Sequence, residues 1–229
     1  ELAVSQFRNQ PPAVELDAKL SKDGQVFVFH DHTLERTTNG KGRIKGLTLA
    51  QLQERDAGTY FDQRFAGEKI PTLDAVFETI GKRAFINVEL TNYASSSDAL
   101  NEKVAETVVR HNLVDRVIFS SFLSSNLRKM ACLLPEVPRA LLTHNGILGY
   151  LERSWFVQLS TSYQALNPHF RDATYRLVAQ AHRKGRRVNA YTVNDAHEIK
   201  RLAEVGVDGI FTDDVLTAEK ALAEYHSGV

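Results

Sequence analysis

The sequence predicts an α/β fold, a closed (β/α)8 barrel, on three observations. Short β-branched runs alternate with helical patterns along nearly the whole chain. The glycine fingerprint of an open nucleotide-binding sheet is missing: Gly40, Gly42 and Gly46 have the wrong spacing and do not sit between a strand and a helix, and no phosphate loop ending in Gly-Lys-Ser/Thr occurs. The length, 229 residues, falls a little short of the ~250 of a typical TIM barrel.

Strands are predicted at Ala13–Leu20, Val26–Phe29, Phe85–Leu90, Val117–Ser120, Ala140–Thr143, Ala165–Asn167, Arg187–Val193 and Gly209–Thr212. Between them, Leu100, Val104 and Val108 share one helical face, as do Leu177, Val178 and Ala181, and Ile199, Leu202 and Ala203 keep core spacing on a charged helix. Such alternation predicts parallel strands wrapped by helices. No linker rich in Pro, Gly or Ser divides the chain, so residues 1–229 read as a single barrel domain. Glu1–Phe7 reads as helix with no strand before it, and the one methionine is Met130. A first strand and its loop are therefore expected to precede Glu1.

Lys plus Arg (28) balance Asp plus Glu (28), and 43% of the residues are hydrophobic. No apolar run approaches the ~20 residues that cross a bilayer. This excludes a membrane span and a disordered tail, and offers no chain-wide attraction for nucleic acid or anionic lipid. An anionic ligand has to be held locally. The single Cys132 excludes an intrachain disulfide and lacks zinc-site spacing, so it is expected as a packed core thiol. The expected compartment is the cytoplasm, with a targeting signal upstream of Glu1 as the open alternative.

The most informative segment is AVELDAKLSKDGQVFVFHDH, Ala13 to His32. Asp23-Gly24 is a strong hairpin signal. Read as a two-residue turn, it sets Asp17 opposite His30 and Glu15 opposite His32, which gathers two carboxylates and two imidazoles on one face. A solvated face with internally paired charges is the plainer alternative. Glu89 repeats the theme at the end of the run Phe85–Leu90, and the C-terminal ends of barrel strands are where such barrels keep their active sites. Glu15, Asp17 and Glu89 together offer an oxygen cage for a hard divalent cation such as Mg²⁺ or Ca²⁺, which would relieve their mutual repulsion.

In order, VELDAKLSKDG, VFVFHDHTLERTTNGKG, IPTL, INVEL, YTVND and GVDGIFTDD resemble the motif series of the glycerophosphodiester phosphodiesterases, metal-dependent enzymes on an eight-stranded barrel. The resemblance runs from about Val14 to Asp214. It implies that Glu15 and Asp17 are paired metal ligands, Glu89 the third, His30 one of two acid/base histidines, and Tyr191, in place of a usual Trp, a substrate contact. It also implies cleavage of a small glycerophosphodiester to glycerol 3-phosphate and an alcohol. The family's other histidine belongs to a His-Arg pair at the end of the first strand, a segment that this sequence lacks. Thr91 stands where the family often has Lys, so a cation for the phosphate has to come from elsewhere, with Arg36 or an upstream arginine as candidates.

Two other readings stay open: a phosphodiesterase acting on lysophospholipids, hinted at by the apolar segment Ile147 to Phe156 with Trp155, and a catalytically silent barrel that binds a phosphorylated ligand or a partner. His32 is read as lying behind the site or in solvent, and His169 as a pocket or a structural residue. Asn39-Gly40 is read as turn chemistry, and Asp213 and Asp214 as a helix cap. His111, His144, His182, His197 and His226 receive no function.

Overall fold

Runs such as Phe85–Leu90 and Val117–Ser121 are extended because β-branched and aromatic side chains fit a pleated surface buried on both sides. The computed structural model describes residues 2–6 by their backbone and residues 13–93, 98–154, 157 and 160–228 in full. Its strands are β1 (Leu2–Gln6), β2 (Ala13–Leu20), β3 (Val26–Val28), β4 (Phe85–Leu90), β5 (Val117–Ser121), β6 (Arg139–Thr143), β7 (Ala165–Pro168), β8 (Arg187–Ala190) and β9 (Gly209–Thr212). Each strand predicted from the sequence is present within a few residues of its expected bounds. From β2 to β9 the neighbours β2-β4-β5-β6-β7-β8-β9 pair in parallel, and β1 joins β9 back to β2.

The opening segment corrects the sequence reading. Leu2–Gln6 is strand, antiparallel to both neighbours, with Ala3 beside Val14 of β2 and Thr212 of β9. Glu1 and Phe7 lie outside the described residues. The physical reason is the pair of sheet edges on β2 and β9, whose open N–H and C=O groups an extended segment satisfies and a helix does not.

The helices are α1 (Leu49–Gln53), α2 (Leu73–Ile80), α3 (Leu100–Arg110), α4 (Ser124–Leu133), α5 (Gly146–Glu152), α6 (Tyr175–His182), α7 (Ala196–Val205) and α8 (Val215–Ser227). Side-chain caps start several of them: Thr72 on α2, Thr174 on α6, Asp195 on α7 and, as expected, Asp214 on α8. The predicted faces are buried: Leu100, Val104 and Val108 pack with Leu16, Ala18, Ile86, Val88 and Leu90 in one cluster. By the strand period of two, Glu15, Asp17, Lys19, Asn87 and Glu89 then point the other way, into the barrel. A second cluster joins Val178, Ile199 and Leu202 to Val188 and Ile210. Cys132 is exposed, against expectation, because Asn126, Leu127 and Met130 form the buried face of α4 and Cys132 lies opposite them. Among the described residues no helix is long and apolar enough to cross a membrane.

The hairpin between β2 and β3 is shifted by one residue from the predicted register. Observed partners are Ala18 with Val28, Lys19 with Phe27 and Leu20 with Val26. Ser21 N–H donates to Gln25 O at 2.9 Å and Gly24 N–H to Ser21 O at 3.0 Å, so Lys22, Asp23 and Gly24 form a three-residue loop. A two-residue turn of the type expected needs two left-handed residues, and here only Gly24, at φ +76°, is left-handed. Asp23 instead accepts from Ser21 Oγ at 2.7 Å and Leu49 N–H at 2.9 Å. The ladder ends at Val28, Phe29 N–H donates to Asp17 O at 3.0 Å, and the expected pairs of Asp17 with His30 and Glu15 with His32 do not form.

Past β3 the chain makes a long excursion with a small core of its own, Phe27, Phe29, Leu34, Ile44, Leu52 and Ile70. This cluster pins residues 30–46 over the end of the barrel. No atom lies within 4 Å of a Cβ built on Gly24, so Gly24→Ala is expected to cost about 1–2 kcal/mol from backbone strain alone, read as a lower urea midpoint at unchanged slope. An unchanged midpoint contradicts the three-residue loop.

Candidate metal centre and active site

The site is set by strand register. In the parallel pair of β2 and β4, Asp17 lies beside Glu89 and Glu15 beside Asn87, so carboxylates two residues apart on one strand meet a third on the next. One oxygen from each of Glu15, Asp17 and Glu89 lies within 4.8 Å of the others. Above them, Lys19 Nζ donates to Thr91 Oγ1 at 2.9 Å, and that hydroxyl donates to Ala18 O at 2.8 Å. Tyr93 Oη donates to Glu89 Oε1 at 2.5 Å. A cavity of about 370 Å³ opens here, lined by Asp17, Lys19, Glu89, His30, Tyr93 and Phe122. A larger cleft of about 850 Å³ beside α5 and α6 includes Arg171 and Arg176 but none of the clustered acids. The chemistry therefore points to the smaller one.

Burial dominates the electrostatics. It pushes the Glu15 carboxyl well above the usual carboxylate range, and the charges of Asp17 and Glu89 push further. It also raises Asp17, against the pull of His30 and Lys19, and with the Asp17 charge it lifts Glu89 to about 8 despite the Tyr93 hydrogen bond. Glu15 Oε1 is buried and has no hydrogen-bond partner among the described residues. An orphaned carboxylate oxygen is costly unless a cation meets it. One lysine does not neutralise three acids. The donor set, all oxygen and within one coordination sphere, fits a hard divalent ion.

Beside the acids stands a second construction. His30 Nδ1 is 2.7 Å from Asp31 Oδ1, so the carboxylate holds the ring hydrogen at Nδ1 and leaves Nε2 for proton exchange. Arg36 grips the same carboxylate twice, Nε to Oδ2 at 2.6 Å and a terminal nitrogen to Oδ1 at 2.8 Å. The Arg36 hydrogen bond is the main cause that holds Asp31 down at about 2. The His30 side chain is 69% exposed and lines the cavity with His32. Arg36, a candidate for the phosphate, is instead engaged with Asp31.

Tyr191 lies across an aromatic wall from the acids. Its hydroxyl donates to Thr143 O at 2.9 Å, and its ring meets Phe122 edge-on at 6.0 Å and His169 at 5.9 Å. Phe122 in turn packs on Tyr93 at 5.9 Å and on His144 at 4.2 Å. His169 accepts from Arg171 N–H and stacks on Phe170. Asp213 accepts from Asn194 Nδ2 at 2.8 Å, and Asn39 Oδ1 accepts from Asp56 N–H at 3.0 Å. Of the segment Ile147 to Phe156, Trp155 and Phe156 lie outside the described residues. Lys19, Asp31, Tyr93 and Phe122 are site residues that the sequence does not single out, and Thr91, noted there only for the lysine it replaces, is the hydrogen-bond partner of Lys19. Lys19 carried a signal, since it continues the alternation of Glu15 and Asp17.

Comparison with known proteins agrees with this geometry. Residues 12–217 match the glycerophosphoryl diester phosphodiesterase family. A glycerophosphodiester phosphodiesterase of Caldanaerobacter subterraneus is 36% identical over 88% of this chain and 82% of its own length. One from Bacillus altitudinis is 33% identical over 87% and 82%. Among solved structures, an Oleispira antarctica phosphodiesterase in complex with the product sn-glycerol-3-phosphate is 29% identical, superposes at a TM-score of 0.80, and matches over 92% of this chain and 84% of that one. With a family match over residues 12–217 and a relative 36% identical over 88% of this chain, the chain belongs to the glycerophosphoryl diester phosphodiesterase family.

Proposed function

We propose that this protein hydrolyses small glycerophosphodiesters to glycerol 3-phosphate and an alcohol, with Mg²⁺ or Ca²⁺ held by Glu15, Asp17 and Glu89, and that residues 1–229 act as one barrel domain. The observation that carries this reading is the convergence of those carboxylates, of which Asp17 and Glu89 line one cavity with the His30–Asp31 pair. The product complex of the Oleispira relative supports the choice of substrate class. When bound, a divalent cation polarises a phosphoryl oxygen and stabilises the charge that develops during in-line displacement.

The chain's own groups do the rest. Tyr93 fixes Glu89 by its hydroxyl. Asp31 and Arg36 orient the His30 ring, whose imidazolium form donates a proton to the departing alkoxide. Tyr191 and Phe122 form a wall for the organic part of the substrate. His30→Ala is expected to lower kcat by roughly 10²- to 10⁴-fold with KM and metal affinity nearly unchanged. Turnover at the wild-type level removes His30 from the mechanism.

The raised carboxyls give a pH dependence with a definite sign. In the metal-free protein Glu89 moves from its usual 4.5 to about 8, so the folded state binds more protons than the unfolded state between those values. The associated stability is greatest below about 4.5 and falls as pH rises toward about 8. A divalent ion takes the deprotonated cluster, so its affinity climbs across the same window, by about tenfold per unit where one proton is displaced. Thermal melting with chelator or Ca²⁺ is expected to show a larger Ca²⁺-induced rise in Tm at pH 8 than at pH 5. An equal or smaller rise at pH 8 contradicts the assignment.

One observation favours a second substrate reading. On α5, which follows β6 at the same end of the barrel, Ile147 is 81% exposed, and Leu148, Tyr150 and Leu151 are exposed with it. Such a strip suits an acyl chain. Parallel assays of glycerophosphocholine and lysophosphatidylcholine separate the readings. The small diester is expected to be the better substrate, and Ile147→Ser/Leu151→Ser to leave its kcat/KM unchanged. Faster cleavage of the lysophospholipid, lost in that variant, reverses the order.

A further inference from the structure

Resting on that reading, we propose that Lys19, set in direction by Thr91, is the cationic contact for a non-bridging phosphoryl oxygen of substrate and product. Lys19 is only 8% exposed, an unusual state for a lysine without a paired acid. Among the described residues no carboxylate lies within ion-pair distance of its ammonium. Its one hydrogen bond there is to the neutral Thr91 hydroxyl at 2.9 Å. That hydroxyl spends its own hydrogen on Ala18 O at 2.8 Å, which turns a lone pair toward Lys19. The ammonium is thus placed from both sides of the β2–β4 pair and has N–H groups to spare.

The placement makes sense in terms of charge. Lys19 and Thr91 line the same cavity as Asp17, Glu89 and His30, one alternation step beyond the acids toward the end of β2. A dication held by the acids repels an ammonium in that cavity, and an anion between the two relieves the repulsion. A phosphodiester has two non-bridging oxygens, one for each cation, and a charge-assisted hydrogen bond to lysine stabilises the charge that grows on displacement. Arg36, the other cation considered for this task, is held by Asp31.

The test is titration calorimetry of sn-glycerol 3-phosphate into Mg²⁺-loaded protein, with a separate Mg²⁺ titration of every variant. Lys19→Met is expected to weaken glycerol 3-phosphate binding roughly ten- to hundredfold, with Mg²⁺ binding unchanged or tighter because a repelling charge is gone. Lys19→Arg is expected to restore most of the loss, and Lys19→Met/Thr91→Lys to do the same by carrying the ammonium on the neighbouring strand. Equal affinity of wild type and Lys19→Met overturns the inference. So does a parallel loss of Mg²⁺ and phosphate affinity that Lys19→Arg does not rescue, which marks a structural pillar. Should Lys19→Met fail to fold, Thr91→Val, which keeps the charge but frees it, is expected to weaken phosphate binding several-fold, and wild-type affinity there overturns the inference. Phosphate binding that depends on Lys19 in a protein that cleaves no glycerophosphodiester overturns the functional reading and leaves Lys19 standing.

Discussion

Three carboxylates are forced together inside a barrel by the parallel register of two strands, and most of what surrounds them answers that constraint. Asp17 beside Glu89 and Glu15 one step below are consequences of how β2 pairs with β4. A slip of β2 by one residue would turn Glu15 and Asp17 into the apolar layer under the helices and away from Glu89, and Leu16, Ala18, Ile86, Val88 and Leu90 in that layer hold the register by their burial. The strand pair therefore stores electrostatic repulsion that the core pays for. Tyr93 relieves part of it with a hydrogen bond to Glu89, and Lys19 adds one positive charge. The orphaned Glu15 oxygen marks what is left for an ion.

Much of this was legible in the residues. Strand alternation and helical faces follow from the placement of apolar side chains, which the local sequence carries in full. The acid cluster was legible for the same reason: Glu15 and Asp17 share a face by the period of two, and Glu89 ends a buried run. The hairpin register was not, because Asp-Gly serves both two- and three-residue loops, and the choice rests on how many residues turn left-handed, here Gly24 alone among the loop residues. The opening strand was hidden because Leu-Ala-Val-Ser-Gln suits a helix locally, while the edges of β2 and β9 that extend it lie elsewhere in the chain. Cys132 was misplaced by treating residue type as burial, when its helical phase sets it opposite Met130.

The site residues that escaped the sequence reading share a cause. Asp31 is adjacent to His30, but its role depends on Arg36 reaching back to it across a loop whose course is fixed by the small core around Leu34 and Ile44. Tyr93 and Phe122 follow strand ends, where tertiary contact decides direction. The result is a division of tasks. A buried floor of acids belongs to the strands, while an exposed imidazole belongs to the excursion after β3 and lines the same cavity as Asp17 and Glu89.

On this geometry Glu15, Asp17 and Glu89 are placed to hold one divalent ion in common. Anomalous diffraction from crystals soaked in Mn²⁺, an oxygen-seeking substitute for Mg²⁺, tests it most directly. One strong peak is expected about 2–2.6 Å from an oxygen of each of the three carboxylates. No peak there, or a peak that one carboxylate binds while the others stay protonated and apart, contradicts it.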